Sequence, residues 1–516
     1  MPARASFNKS RPHAAPLRAT PGRSTPIARP PVRFHSYFLV FAVAALFLLL
    51  AHGALLDLPF YWDEIGQFIP AALDIFHKGA WIPVSTLPNV HPPGVMAFLA
   101  GVWSVFGYSI EATRIAMLLV AALGVLYVFL LAIELGRGST GTPAFAAVAL
   151  FCASPLFFAQ SMLARLDMPA MVAATLALLL FLQNRFRDSA LACAVLVLIK
   201  ETGLVVPALF FFWLFVLERR RRDALWFLIP LPGLAVWLIA LHHATGNWLG
   251  NAGFARYNLT AQLTPAHVGL ALLRRLYYLF IGSGHFIDTA AVLYAWRRMP
   301  LLHDRAWKIA GAFVAIQTLA VCLTGGAVLE RYLLPALPVL YTAFAVSLQA
   351  FRSHARKLMM AALLLALAAA NFVNPFYPFP LENNLAFVDF VELERAAAAA
   401  AEDRPALSTA TVFPMTDALS NPEFGFVERA HRVVALPDFS PAAIEKLKDA
   451  TPDMMIVFDP VWDPFHLLRI EALRSFLERN YGYVPALSPA QIARALSMRI
   501  ARRWTRRGQS MELLIR

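Results

Sequence analysis

Polar and apolar positions along the chain separate into long apolar runs punctuated by short arginine clusters. Runs of spanning or near-spanning length fall at about 34–56, 114–135, 143–163, 168–183, 188–200, 203–217, 224–243, 276–296, 307–323, 332–350 and 357–373. A helix needs about 20 apolar residues to cross a bilayer core, so the pattern predicts about eleven transmembrane helices. The runs 188–200 and 203–217 are short. The turn Lys200-Glu201-Thr202-Gly203 between them is expected to dip inward, as short spans do beside protein or a wet cavity. Residues 92–110 are nearly apolar enough for another span. Counting them would put Asp167 in the cytoplasm and the Arg219–Arg222 run outside, against the positive-inside rule. That stretch therefore reads as an amphipathic or half-buried surface helix, like the apolar turn Ile69–Phe76.

Orientation follows from the short loops. Arg137, then Arg185 and Arg187, then Arg219–Arg222, then Arg297, Arg298 and Arg305, then Arg352, Arg356 and Lys357 make every second loop basic, which puts those loops and the N-terminus in the cytoplasm. Residues 1–33 carry Lys9, six arginines, no acids and many prolines, and read as a disordered basic cytoplasmic tail. Residues 34–373 then form the membrane domain, with a long first external loop at 57–113. From about 374, after Asn374-Pro375-Phe376-Tyr377-Pro378, the composition turns to mixed charge. Residues 374–516 are expected to form a small external α/β domain. Its elements would be strands at Ala406–Phe413 and Met454–Phe458, a helix at Pro441–Ala450 and a closing strand at Met511–Arg516. The fold class is thus an all-α polytopic membrane domain followed by an α/β module. The Ala396–Ala401 run reads as a helical connector, and no internal repeat is visible.

Composition agrees: 59% of the 516 residues are hydrophobic and 15% charged, against about half and a quarter in soluble domains. The net charge of +13 lies mainly in the clusters that set topology, so it implies membrane lipids as partners and no nucleic acid. Cys152, Cys193 and Cys322 lie in apolar segments without metal or redox spacing and are expected to pack as small hydrophobes.

Nearly all the remaining ionisable residues of interest fall in loops on the non-basic side: Asp63, Glu64, His91, Arg165, Asp167, Lys200, Glu201, Arg256 and Arg331. Carboxylates near hydrocarbon are costly to desolvate and tend to be kept for a substrate or ion. Tyr61-Trp62-Asp63-Glu64 places two adjacent acids directly after the first apolar run. His91-Pro92-Pro93 fixes an extended chain that can hold a side chain at a cavity mouth. Asp167, before Met168-Pro169, suits both a helix N-cap and a site acid facing the same cavity. Lys200 beside Glu201 suits a local ion pair as well as a ligand contact. Three cations, Lys200, Arg256 and Arg331, with several carboxylates on one side point to an anionic substrate and acid-base chemistry, phosphate being the obvious anion.

Tyr61-Trp62-Asp63-Glu64, His91-Pro92-Pro93, Arg165-Leu166-Asp167, Lys200-Glu201 and Glu330-Arg331-Tyr332-Leu333-Leu334-Pro335, in that order and spacing, resemble the family-39 type of GT-C glycosyltransferases. That group includes the protein O-mannosyltransferases and the bacterial lipid A aminoarabinose transferases. The resemblance covers about 34–350. It implies an integral protein of the bacterial inner membrane, with its N-terminus cytoplasmic and its C-terminal domain periplasmic. The implied reaction is inverting transfer of a sugar from a polyprenyl-phosphate carrier to a lipid, glycan or protein hydroxyl at the outer face. Asp63 would match the acid acting on the acceptor, with Glu64 beside it, and Asp167 the acid of the second external loop. Lys200, Arg256 and Arg331 would bind the carrier phosphate, with His91, Arg165, Glu201 and Tyr332 as further substrate contacts. Relatives acting on lipid A carry Glu-Lys-Pro where this chain has Val90-His91-Pro92, which speaks against aminoarabinose transfer and against a metal at that spot. The motifs name no certain cofactor, and a divalent metal is left open. The alternative reading is a lipid or solute transporter with an external cap. Such proteins place charges near the midplane of repeated halves, whereas here they gather at one face.

Overall fold

The computed structural model describes residues 34–516 apart from 138–142, 258–262, 325–327, 451 and 460. The expected basic tail at 1–33 lies outside the described residues. Every predicted apolar run falls on helix, but the runs differ in length and continuity. Among the described residues five helices are long and apolar enough to cross a membrane: Ile110–Leu135, Arg221–Thr245, Arg305–Leu323, Glu330–Ala350 and Ser353–Ala370. A sixth arises if Pro265–Phe280 and Gly282–Trp296, bent by 41° at their junction, form one broken span. The run at 276–296 is therefore the second arm of a kinked pair, and Ser283 at the kink has φ +53°. The run at 143–163 is cut into Ala144–Ala153 and Pro155–Gln160, because Pro155 has no N–H to continue the first helix.

The longest helix shows how local sequence sets its ends. Ser109 caps Ile110–Leu135 by accepting a hydrogen bond from Ala112 N, and Glu111 sits in the first turn, where its charge complements the helix dipole. This helix packs against Phe34–Ala51, Ala144–Ala153 and Asp167–Leu182, forming the scaffold under the site.

The stretch 92–110 contains the helix Gly94–Phe106, which buries Val95, Leu99 and Trp103 while leaving Val105 and Phe106 exposed. It is half-buried, as the sequence suggests. Gly94 is required at its start, since a Cβ there would meet the Leu198 carbonyl oxygen at 2.4 Å.

The C-terminal part carries a five-stranded sheet in the order β2-β1-β3-β5-β4, formed by β1 (Thr409–Val412), β2 (Val433–Leu436), β3 (Met454–Phe458), β4 (Arg499–Arg506) and β5 (Gln509–Ile515). β1 lies parallel to both β2 and β3, while β5 runs antiparallel to β3 and β4. The sequence reading located β1, β3, β5 and the helix Pro441–Ala450, and missed β2 and β4. β4 is arginine-rich and largely exposed; a charged edge strand hides its pairing potential from hydrophobicity patterns and also blocks edge-to-edge association.

Helix Ala386–Glu402, which contains the alanine run, packs against β4 and β5. Its Phe387 and Phe390 reach the rings of Tyr61 and Trp62. The α/β part is thus fastened directly onto the first acidic motif.

Candidate active site

Asp63 and Glu64 are neighbours in sequence and opposite in environment. They open a short π-helical turn, Glu64–Phe68, after Trp62 at φ +49°, and consecutive residues on such a turn point in different directions. Glu64 is fully buried. Its carboxylate accepts from Tyr61 N at 2.8 Å, Ala164 N at 2.5 Å and the Arg114 guanidinium at 2.5 Å. It ties three distant segments together in the core, whereas it was expected beside Asp63 among the catalytic acids. Asp63 turns the other way and keeps 30% of its side chain exposed.

Asp63 faces a cavity of about 520 Å³ shared with Asp167, His91, Lys200, Glu201 and Arg331. Tyr332 and Gln67 also line it. The Lys200-Glu201 turn is a 3-10 segment, Glu201–Leu204, between two helices, and it brings both side chains to the wall. Lys200 Nζ stands 2.6 Å from Asp167 Oδ1 and 4.1 Å from the Tyr332 ring centre. Glu201 pairs with His91 Nδ1 at 2.8 Å rather than with Lys200, so the acid that Val90 does not supply reaches His91 from another segment. Asp167 begins the helix Asp167–Leu182 without a side-chain cap bond; its carboxylate goes to cations instead.

Arg331 is the hub. Its guanidinium bonds to Asp63, lies 3.0 Å from Asp167 Oδ2 and reaches Glu382 Oε1 at 2.6 Å. Glu382 also holds Arg165 Nη1 at 2.7 Å. The sequence reading missed Glu382. The available signal was one acid in the apolar, proline-punctuated connector Pro378-Phe379-Pro380-Leu381-Glu382. Arg114 was missed too, although a charge at the edge of an apolar run is itself a flag.

Two expected contacts are placed differently. Arg165 is 1% exposed and sits behind the wall, over the Tyr61 ring at 5.3 Å; it supports Glu382 and does not line the cavity. Arg256 is exposed and stands outside the lining, between Ala255 and Tyr257, which belong to it.

Electrostatics make Asp63 a standing carboxylate. Burial pushes its carboxyl up, but Arg331 and Arg165 outweigh that and hold it below its ordinary value. Tyr61, buried beside it, is pushed well above the ordinary phenol value and stays protonated. Among the described residues no group of three or more His, Cys, Asp or Glu could hold a metal ion; Asp63, Asp167 and Glu382 converge on the Arg331 guanidinium. The cavity can therefore present Asp63 as the most exposed of its carboxylates, one lysine with donors to spare, and an aromatic and apolar flank that includes Phe254, Tyr257, Leu329 and Tyr332.

Residues 90–248 match the family model described as dolichyl-phosphate-mannose-protein mannosyltransferase. The match covers His91, Arg165, Asp167, Lys200 and Glu201 but not Asp63 or Arg331. The crystal structure of ArnT from Cupriavidus metallidurans bound to undecaprenyl phosphate superposes with a TM-score of 0.57, over 93% of this chain and 98% of that one, at 14% identity. The chain has the fold of that ArnT. The apo state of the same ArnT gives a TM-score of 0.56 at the same identity and coverage. A looser likeness links it to the archaeal oligosaccharyltransferase AglB from Archaeoglobus fulgidus, in complex with an inhibitory peptide and a dolichol-phosphate. There the TM-score is 0.48 at 12% identity, over 82% of this chain and 69% of that one. A sequence search among curated proteins gives no match.

Proposed function

We propose that the protein is an inverting membrane glycosyltransferase that moves a sugar from a polyprenyl-phosphate carrier to an acceptor hydroxyl at the outer face of a bacterial inner membrane. The observation that carries this reading is the placement of Asp63 and Lys200 in one cavity with a partly aromatic wall. An acceptor hydroxyl beside Asp63 gives its proton to the carboxylate as its oxygen bonds to the anomeric carbon. The bond from that carbon to the phosphate oxygen breaks, and its electron pair leaves with the lipid phosphate. Negative charge grows on that oxygen, and cations already in place stabilise it without rearrangement.

The roles of the cations divide. The Arg331 head group meets three carboxylates and lies over the Tyr332 ring at 5.4 Å, so Arg331 sets the field and holds Asp63 and Asp167 in position. Lys200 has three ammonium donors, one of which is committed to Asp167, and it is the group assigned to the carrier phosphate. Arg256 at the margin would meet the phosphate as it arrives. Lys200→Met is expected to weaken binding of polyprenyl phosphate by about 2 kcal/mol, the scale of a partly desolvated charge-assisted contact, with folded protein retained. Titration of the purified variant with the lipid checks it, and unchanged affinity removes Lys200 from the donor site.

The transferase reading itself is tested by incubating purified protein with a panel of polyprenyl-phosphate sugars and measuring released polyprenyl phosphate. No release from any sugar, with or without acceptors, refutes it. The orientation rests on the alternating basic loops. Topology reporters fused at Arg221 and at Ala450 are expected to report the cytoplasmic and outer sides respectively; the same side for both overturns it.

A further inference from the structure

Asp63 and Gln67 line the cavity and also a second hollow of about 910 Å³, walled by residues 83–88 on one side and by Phe413 and Asp417 of the α/β part on the other. Gly66, Ser85, Thr86 and Asp417 are in turn shared with a third hollow of about 440 Å³, which lies against helix Ile69–Lys78 and the segment from Ser420 to Phe424. Adjoining through these shared residues, the three hollows outline a trench. It begins at the only proposed base and leaves the cavity between the first loop and the sheet-bearing part.

The trench differs from the cavity in chemistry. Its polar lining is hydroxyl, carboxamide and carboxylate: Ser85, Thr86, Gln67, Asn421 and Asp417. Its two basic groups are already paired, Lys78 with Asp74 at 2.9 Å and His77 with Glu423 at 3.0 Å. A phosphate in the trench would find acids without a cation held ready for it. Where the trench meets the cavity, Phe413 is 36% exposed and stands edge-on to Trp62 at 5.6 Å. It lies so close to Gly66 that a Cβ there would come within 2.9 Å of its ring. A flat ring next to acids and carboxamides suits a sugar, whose C–H face lies on the ring while its hydroxyls bond to the polar groups.

Resting on the transferase reading above, we infer that this trench is the acceptor route and that the acceptor is an uncharged glycan chain, with Phe413 as the platform that brings its terminal hydroxyl to Asp63. Loop 83–88 is held for this purpose by Asp74, which accepts from Val84 N and Ser85 N, each at 2.8 Å, and by Thr86, which donates to the Gly66 carbonyl at 2.6 Å. Leu87, 61% exposed, reaches the rim and offers a position that can be altered without breaking those bonds.

The test uses the full chain with a polyprenyl-phosphate sugar that it cleaves, and three acceptor probes: a neutral oligosaccharide, an uncharged serine- and threonine-containing peptide, and a phosphorylated glycolipid. The neutral oligosaccharide is expected to raise release of polyprenyl phosphate at least about 10-fold more than either other probe. Leu87→Cys coupled to a bulky polyethylene-glycol maleimide should lose at least about 10-fold of that stimulated release while binding the carrier as before. Arg499→Cys on the exposed edge strand, labelled alike, should lose none. Phe413→Ala should raise KM for the oligosaccharide and leave KM for the donor unchanged. Stimulation by the glycolipid or the peptide instead overturns the acceptor class, and stimulated release indifferent to the Leu87 label overturns the route. Both outcomes leave the transferase reading standing. Absence of donor cleavage under every condition overturns the transferase reading and this inference with it.

Discussion

Asp63→Asn is expected to lower turnover about 100-fold or more, the scale for removing a general base, while donor affinity and folding stay close to those of the unsubstituted protein. Asparagine keeps the shape and can still accept from Arg331, but it cannot take a proton. The same carboxylate is expected to set the acid limb of the pH profile. Burial alone would raise it, yet Arg331 and Arg165 hold it below the ordinary value, about 3.9 for an aspartate. The proton-accepting form therefore persists through neutral and mildly acidic pH, and turnover falls only as the pH drops below the usual aspartate range. An acid limb near neutrality would assign the base to another group. Normal turnover in Asp63→Asn combined with a dead Asp167→Asn would reverse the roles of the two acids. Glu64→Gln separates the neighbours, because Glu64 lies in a buried pair with Arg114. Its substitution is expected to cost folded protein, by about 3 kcal/mol, rather than turnover per folded molecule.

Arg331→Met is expected to be the most destabilising change in the site, by about 3–5 kcal/mol, because it strands buried carboxylates that have lost their counter-charge. Arg331 is 4% exposed, and Asp167 and Glu382 beside it are 6% and 5% exposed. Arg331→Lys should recover little of the loss, since one ammonium on a flexible stem cannot span three carboxylates as a planar guanidinium does. The thermal midpoint of detergent-purified protein, compared with and without polyprenyl phosphate, measures the effect. Wild-type stability in Arg331→Met would mean that the three acids do not depend on this cation. Glu382→Gln should also destabilise, because Glu382 offers Oε1 to Arg331 and Oε2 to Arg165, and an amide keeps one accepting oxygen and turns an NH2 donor toward the other guanidinium.

These two expectations rest on different kinds of information. The helices were legible because burial in lipid or protein imposes a run of apolar residues that can be read within one segment. The motifs at their ends were legible because charge is rare in such a chain. Lys200-Glu201, Asp167, His91 and Tyr332 do meet Asp63 and Arg331 in one cavity. The strands β2 and β4 were not legible: β2 is short, and β4 carries arginines along its exposed edge.

By itself, then, the sequence determined the helical frame, the C-terminal change of composition and the set of ionisable residues from which a site could be built. Only the tertiary structure decided what each of them faces. It turned Asp63 toward the cavity and Glu64 into the core, and moved Arg165 behind the wall. It set Arg256 outside the lining, and brought in Glu382 from the connector and Arg114 from the helix Ile110–Leu135. The physical reason is that the role of a charged group is set by its partners, and these are remote in sequence. Arg114 stands 50 residues from Glu64 and Arg331 stands 268 from Asp63, distances over which no local pattern carries the pairing, while the energy of a buried charge depends on little else.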